Sequence, residues 1–404
     1  MNVMIIQPWI RQGGAETYSV NLARQLSRLG HRAAIACAFH DLRGMSQGAR
    51  EVTYFLPHPT LAKLCYLSRV FFLIVGPYIL LHTVWRYSSG FDMLNPHNFP
   101  AVWVAVIVGK LRRIPVVWTC NEPPESLSLH HGLYVGIVDF LGWLVASSKL
   151  DRLLVHRVDG IHVLSQRARR QVQDRYKRDA TVIPPPVDES FLEQGDPSRA
   201  AEEFGLQDKF VILCVGKLHP QKNQILSIEA LAQVLPEIAN AFLVLVGDGP
   251  MRRRLQRHAK AKHVQDRVAF LRNLSNSELR DLYALCSVNL FPARFQSWGL
   301  TPFEALCAER ITVVSLDSGA AEVLGPKGIG IVTTPTTEAF ADAILDVSQI
   351  AGHYKLAAAR GRVFVTSKLT LLAFTEALLT LFEEALSQHL SRYPGDSARE
   401  GVGP

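Results

Sequence analysis

The 404 residues predict an α/β protein built from two doubly wound domains, each a parallel sheet with helices on both faces. Three observations carry this. Short, wholly apolar runs of strand length alternate with stretches of helical periodicity along the chain. Glycine-bearing turns follow several of those runs, as at Gly13-Gly14, Gly216 and Gly247. The length also exceeds what one hydrophobic core serves, which divides the alternation into two series.

In the first series, Val3 to Ile6 is a short apolar strand, and Ala15 to Leu29 is a helix with Val20, Leu22, Ala23, Leu26 and Leu29 as its apolar positions. Gly30 ends that helix, and Ala33 to Ala38 begins the next strand. Further strands follow at Met93-Leu94, Val116 to Thr119, Gly160 to Leu164 and Val182-Ile183. The segment Pro184 to Asp188 reads as a stiff connector, because successive prolines fix φ and remove N–H donors. The second series has apolar strands at Phe210 to Val215, Ala241 to Val246, Val268 to Leu271, Val288 to Phe291 and Ile311 to Ser315, with a helix from Asn223 to Leu235. The domains expected are therefore 1–192 and 193–368, followed by a helix over 369–390 and a polar, Gly- and Pro-rich tail over 391–404 that should be disordered.

Composition limits the functions these domains can serve. Hydrophobic residues make up 48% and charged ones 20%, which describes a folded chain. A net charge of +7 and an isoelectric point near 9.1 suit a nucleic acid, an anionic membrane or a phosphorylated substrate. No recognisable nucleic-acid module accompanies the charge, so nucleic acid is not the expected partner. The six cysteines are scattered without a CxxC pair and read as reduced core thiols. With no basic leader or signal-like apolar run at the start, a cytoplasmic location is expected.

The greasiest stretch, Val70 to Trp85, lacks Asp, Glu, Lys and Arg but is shorter than the roughly 20 residues needed to span a bilayer, and Gly76-Pro77 interrupts it. It reads either as a buried helix pair or as a surface that dips into lipid at the cytosolic face of a membrane, flanked by Lys63, Arg69 and Arg86. A basic segment at Arg167, Arg169, Arg170, Arg175, Lys177 and Arg178 is either a solvated helix face or a contact for anionic headgroups. Arg252, Arg253, Arg254 and Arg257 read as solvated helix surface.

Candidate chemistry gathers at the carboxyl ends of the second domain's strands, where open α/β sheets bind ligands. Strand Phe210 to Val215 runs into Gly216-Lys217-Leu218-His219-Pro220-Gln221-Lys222-Asn223, placing two lysines at the start of a helix. They are either solvated loop lysines or, with the helix N-terminus, a diphosphate site. After strand Val288 to Phe291 comes PARFQSWGLTPFEAL, in which Thr301 is the expected N-cap, Pro302 the first helical residue and Glu304 the partner that completes a capping box. In the first domain, His97 follows a strand as a possible cleft residue or a structural one, and Asn121 and Glu122 lie in a TCNEPP loop.

Taken together, GGAE at Gly13 to Glu16, GKLHPQKN at Gly216 to Asn223, VGDGP at Val246 to Pro250, FPARFQSWGLTPFEAL, and SGAAEVL at Ser318 to Leu324 resemble the retaining glycosyltransferases of family 4. The resemblance implies the GT-B fold, two Rossmann-like domains facing a central cleft, with the helix over 369–390 returning to the first domain. It implies a nucleotide sugar as donor, a glycan or lipid-linked acceptor, and neither cofactor nor metal. Lys217 and Lys222 match the basic pair that neutralises the departing diphosphate, and Glu304 matches the glutamate that binds the nucleotide ribose. Gly299 and Leu300 would offer N–H groups to phosphates or sugar, Gly216 would shape the turn beneath them, and Gly13 and Gly14 would let the first domain's backbone close over the diphosphate.

Two positions depart from the family's pattern. Gln296 stands where relatives carry a glutamate facing the transferred sugar, and an amide supplies no negative charge there. Asn121 stands where many relatives carry a histidine, although CNEPP is similar to the CHEPP of some mannosyltransferases. The expected function is transfer of a hexose, mannose before others, from a GDP- or UDP-sugar in cell-envelope glycan synthesis. The alternatives are a glycosyltransferase-like binding or scaffolding subunit with weakened catalysis, and a sugar-nucleotide epimerase or glycogen-type synthase using the same two-domain fold.

Overall fold

The computed structural model describes residues 1–10, 14–42, 47–67, 69–123 and 149–393. The chain forms two compact units, Met1–Pro185 together with the residues from Leu371 onward, and Pro186–Thr370.

The strands of the first unit are β1 (Asn2–Ile6), β2 (Arg32–Ala36), β3 (Thr53–Phe55), β4 (Met93–Pro96), β5 (Val117–Cys120), β6 (Gly160–Val163) and β7 (Thr181–Val182). They pair in parallel in the orders β3-β2-β1-β4 and β5-β6-β7, and the bridges Leu94–Val116 and His97–Thr119 join the two runs. Among the described residues up to Pro185 its helices are α1 (Gly14–Arg28), α2 (Pro59–Leu67), α3 (Arg69–Tyr87), α4 (Ala101–Arg112), α5 (Lys149–Val155) and α6 (Gln166–Tyr176). Strand side chains alternate between faces, so β1 sends Met4 and Ile6 into a core with Leu80, Val84 and Val104 of α3 and α4. Val3 and Ile5 go the other way, against Leu22 and Leu26 of α1 and against Phe374, Leu378 and Phe382. Burial on both faces explains why these strands lack the polar alternation of a half-exposed sheet.

In the second unit the helices are α7 (Pro197–Phe204), α8 (Gln224–Val234), α9 (Arg252–Ala261), α10 (Asn276–Leu285), α11 (Thr301–Cys307), α12 (Ala321–Leu324), α13 (Thr337–Gln349) and α14 (Ala351–Lys368). Its strands β8 (Phe210–Val215), β9 (Ala241–Val246), β10 (Val268–Leu271), β11 (Val288–Phe291), β12 (Thr312–Ser315) and β13 (Ile331–Thr333) make one parallel sheet in the order β10-β9-β8-β11-β12-β13. Counted from β8, this is the 3-2-1-4-5-6 order of a Rossmann sheet. The order reverses between β8 and β11, so the loops leaving those strands diverge and open a crevice at their carboxyl ends. In the first unit the reversal falls between β1 and β4.

The last helix, α15 (Leu371–Arg392), belongs to the first unit, where Phe374 meets Tyr18 edge-on at 5.4 Å and His389 bonds the Arg113 carbonyl at 3.1 Å. Ser391 and Arg392 finish that helix, so the tail begins later than the sequence suggests, and residues 394–404 lie outside the described residues.

Two surface expectations change. The apolar run from Val70 to Trp85 lies in one helix, α3, rather than a pair broken at Gly76-Pro77, and Pro77 sits inside it. Leu80, Thr83 and Val84 are buried while Tyr78 is 72% exposed, so the helix has one packed face and one open face. The basic segment around α6 is largely engaged within the unit. Arg169 forks onto Asp179, buried Arg175 meets Asp151, and Arg178 caps the carbonyls of Val155, His156 and Val158. Among the described residues no single helix is long and apolar enough to cross a membrane.

Candidate active site

The carboxyl end of β8 continues into Gly216, whose φ of +145° is open to glycine and strained for other residues. This turn carries the chain through Lys217 to a short 3-10 turn at Pro220–Lys222 and then into α8. Asn223 opens α8 at a φ of 52° and no side chain caps the helix, leaving its first-turn N–H groups without a side-chain partner. The Gln224 amide donates to the Lys217 carbonyl at 3.0 Å and secures the loop. The Lys217 ammonium is exposed and has no partner among the described residues.

The loop after β11 meets this one. Arg294 N–H donates to the Gln221 carbonyl at 2.9 Å, and the Gln296 carbonyl accepts from Gly319 N–H at 2.9 Å. Lys222 Nζ donates to Gln296 Oε1 at 2.5 Å and lies 5.3 Å from the centre of the Phe291 ring. Its carbonyl oxygen thus engaged, Gln296 presents its Nε2 donors with no partner among the described residues. Gly299 has a φ of +119°, and a Cβ there would fall 2.4 Å from Cζ of Phe291, so the loop passes over that ring only as glycine. The N–H groups of Gly299 and Leu300 donate to no described group.

The expected capping box at α11 does not form. Leu300 is the N-cap in helical backbone geometry, Thr301 is already the first helical residue, and Thr301 Oγ1 is buried without a partner among the described residues. That shift of one residue moves Glu304 past the position from which it could reach back to the cap. Glu304 instead accepts the Tyr283 hydroxyl of α10 on Oε2 at 2.7 Å. Its carboxyl is pushed up to about 7, first by desolvation and then by Asp188, while the Tyr283 hydrogen bond and Lys222 act the other way. Burial and the neighbouring carboxylate hold the Tyr283 hydroxyl far above its ordinary range, so it stays a donor. The capping box of this unit lies elsewhere, between Ser275 and Glu278 at the start of α10.

The structure therefore brings Lys222, Gln296, Gly299, Leu300 and Glu304 together around the β8–β11 switch point. Sequence reasoning missed Tyr283, which reads as one more apolar position of α10, Asp188, which reads as part of a connector, and Phe291, which reads as strand core. Among the described residues no three His, Cys, Asp or Glu side chains gather as a metal set.

In the first unit, Gly14 is the exposed first residue of α1, and Gly13 lies outside the described residues. His97 is a correction, because the structure buries it completely and leaves it no surface for a ligand. Its Nε2 donates to Asn95 Oδ1 at 2.8 Å and its Nδ1 accepts from Ser19 Oγ at 3.2 Å, while Asn95 Nδ2 bonds Thr119 Oγ1 at 3.0 Å. Desolvation, with His162 nearby, lowers its pKa to about 3, so it stays a neutral link in a buried polar chain across β4 and β5. Asn121, just past β5, is 5% exposed, and neither atom of its amide has a hydrogen-bond partner among the described residues. A buried amide without a partner costs stability, which marks Asn121 as a polar group that a water or a ligand can complete. Glu122 beside it is half-buried.

The model described as Glycosyltransferase Family 4 matches residues 12–191, and that described as Glycosyl transferases group 1 matches residues 198–362. YqgM of Bacillus subtilis, an uncharacterized glycosyltransferase, is 23% identical over 291 residues, covering 67% of this chain and 73% of that protein. The GDP-mannose-dependent alpha-(1-6)-phosphatidylinositol monomannoside mannosyltransferase of Mycolicibacterium smegmatis is 32% identical over 143 residues, so the match spans 35% of this chain and 36% of that relative. Among solved structures, HepE of Anabaena in complex with UDP-glucose superposes with a TM-score of 0.74 at 19% identity, covering 96% of this chain and 100% of that one. Sucrose-phosphate synthase of Thermosynechococcus elongatus gives 0.78 at 17%, covering 96% and 99%. With two Rossmann-like units, the first matched by the Family 4 model and the second by the group 1 model, the chain belongs to the family 4 glycosyltransferases and has the GT-B fold.

Proposed function

We propose that the chain transfers a hexose, mannose before others, from a GDP- or UDP-linked donor to a lipid-linked or polysaccharide acceptor. The observation that carries this is the convergence of Lys222, Gln296 and Glu304, with the exposed Lys217, which has no partner among the described residues, on the same loop as Lys222. Two cations and the N–H groups of Gly299 and Leu300 supply preorganised charge for a departing diphosphate, the kind of stabilisation that acts as charge develops and needs no metal. Glu304, one oxygen held by Tyr283, has its other for a ribose hydroxyl. Gln296 Nε2 is assigned to a hydroxyl of the donor sugar. Within the first unit taken by itself, the Asn121 amide, which has no partner among the described residues, is assigned to a sugar hydroxyl. A phosphate oxygen of the donor helps remove the acceptor's proton as the acceptor attacks from the face the diphosphate leaves. Mannose and GDP are favoured by the GDP-mannose-dependent relative, and UDP by the UDP-glucose bound in HepE.

Thermal-shift titration with GDP, UDP and ADP tests the reading, because a ligand that binds only the folded state raises its apparent stability. We expect a shift with GDP or UDP, and turnover of GDP-mannose or UDP-glucose in the presence of a glycan acceptor. No shift with any of the three and no turnover would sink the proposal. Binding without turnover would favour the scaffolding alternative.

Peripheral membrane attachment belongs to the same proposal. On the neighbouring helices α3, α4 and α5, Tyr78, Trp85, Ile107, Leu111, Leu150 and Leu153 are exposed, and Arg112 stacks on Trp85 at 4.3 Å. Apolar side chains beside cations suit the boundary between headgroups and acyl chains. The protein is expected to sediment with phosphatidylglycerol vesicles, and the double variant Tyr78→Ser/Leu111→Ser to stay in the supernatant. Equal sedimentation of both would remove this surface from the account.

A further inference from the structure

The first unit contains a cavity of about 430 Å³ whose described lining includes none of the residues assigned above. It opens at the carboxyl ends of β2 and β3, the side of a doubly wound sheet where ligands bind, and its volume lies in the range of small-molecule sites. Backbone pairing holds its floor in place. Ile10 N–H donates to the Phe39 carbonyl at 3.1 Å, and Asp41 N–H donates to the Ile10 carbonyl at 2.8 Å. Helix α2 supplies the facing wall with Lys63 and Tyr66, and Pro57 closes one side.

The lining has a specific chemistry. Tyr66 donates its hydroxyl to Asp41 Oδ2 at 3.2 Å and meets the Phe39 ring edge-on at 5.7 Å, so a carboxylate and an aromatic ring are fixed side by side. His40 packs on Tyr54 at 5.1 Å between ring centres. Lys63, exposed and without a partner among the described residues, brings a positive charge that cancels the negative charge of Asp41. Among the described lining residues the acidic and basic side chains number one of each sign, which gives no net attraction for an anion such as phosphate, and charged groups in the wall disfavour a hydrocarbon chain. A neutral ring with an apolar C–H face and a rim of hydroxyls matches both the aromatic and proline surfaces and the polar groups.

We propose that this cavity binds a pyranose ring, with Asp41 accepting from its hydroxyls and Tyr66 packing on its C–H face. It becomes the acceptor's sugar if the glycosyltransferase reading above holds, and the binding itself does not depend on that reading.

Saturation-transfer NMR on the full chain with methyl α-D-mannopyranoside and methyl β-D-glucopyranoside tests it. At least one glycoside should give a signal, and Asp41→Asn should weaken binding about tenfold, the effect of losing one charge-assisted hydrogen bond. Lys63→Met, at an exposed position, keeps the test valid should Asp41→Asn fail to fold, and it should weaken binding about two- to threefold, as for a hydrogen bond made in partly solvated surroundings. The thermal shift with GDP or UDP should be unchanged in both variants. No signal from either glycoside, signals equal in wild type and both variants, or binding of inorganic pyrophosphate abolished by Lys63→Met would each overturn the proposal. A chain that shifts with GDP or UDP but binds neither glycoside overturns this inference alone. Glycoside binding without any nucleotide shift leaves it standing and sinks only the donor reading.

Discussion

Replacing Lys222 by methionine is expected to lower sugar transfer by about 10²–10³-fold, near the cost of removing one preorganised donor from a developing anion. Methionine keeps the length and apolar stem of the side chain, so packing against Phe291 survives while the ammonium is lost. The partner of that ammonium matters as much as the charge. Gln296 accepts from Lys222 as a neutral amide, so it positions the cation without cancelling it. Gln296→Glu would turn the contact into an ion pair and should weaken GDP or UDP binding about tenfold, and in the Lys222→Met background the same change should have a different effect. Single-turnover transfer and nucleotide Kd for the two single variants and the double variant measure this. A Lys222→Met enzyme within twofold of wild type would return Lys222 to the solvated loop lysines.

The second large effect concerns Glu304 and has opposite signs for stability and for binding. Its carboxyl is raised to about 7 in the folded chain, above its ordinary value, so the folded state holds this proton more tightly than the unfolded chain does. The resulting penalty is absent below the unfolded pKa, grows as pH rises toward 7 and is complete above it. Glu304→Gln should therefore unfold at higher urea than wild type at pH 8.5, by up to about 3 kcal/mol, and at similar urea near pH 4. The amide can still accept the Tyr283 hydroxyl, so the comparison isolates the charge. Nucleotide binding should run the other way, because a ribose hydroxyl donates to the ionised carboxylate. Wild-type affinity for GDP or UDP should rise as pH passes upward through 7, and the variant should lose the part of that rise contributed by Glu304, leaving the nucleotide's own phosphate titration. Stability curves that superpose at pH 8.5 would show that the carboxylate is already well solvated.

Much of the architecture is legible from local pattern. Phe210 to Val215 and Ala241 to Val246 announce themselves as buried parallel strands because both faces are covered and every residue is apolar. The edge strands β3 and β13 escape notice for the converse reason, being three residues long and half-exposed. The start of α11 misleads, since Thr301, Pro302 and Glu304 fit a capping box in sequence while tertiary contact with Tyr283 claims the carboxylate. His97 at a strand end has the same sequence signature whether it faces a ligand or a core, and only its bonds to Ser19 and Asn95 decide.

By itself the sequence determined the two series of alternating elements, the lysines and glycines at the carboxyl ends of strands, and the resemblance to family 4 glycosyltransferases. These are local properties, set by side-chain periodicity and turn chemistry over a few residues. Tertiary structure alone decided that Lys222 is held by Gln296, 74 residues away, and that Glu304 is held by Tyr283, 21 residues away. It also buried His97, left Asn121 without a partner among the described residues, and shaped the cavity beside Asp41 and Tyr66. Hydrogen bonds, desolvation and cavities depend on which distant segments the fold brings within a few ångströms, and one strand's residues carry no record of the loop that will lie against them.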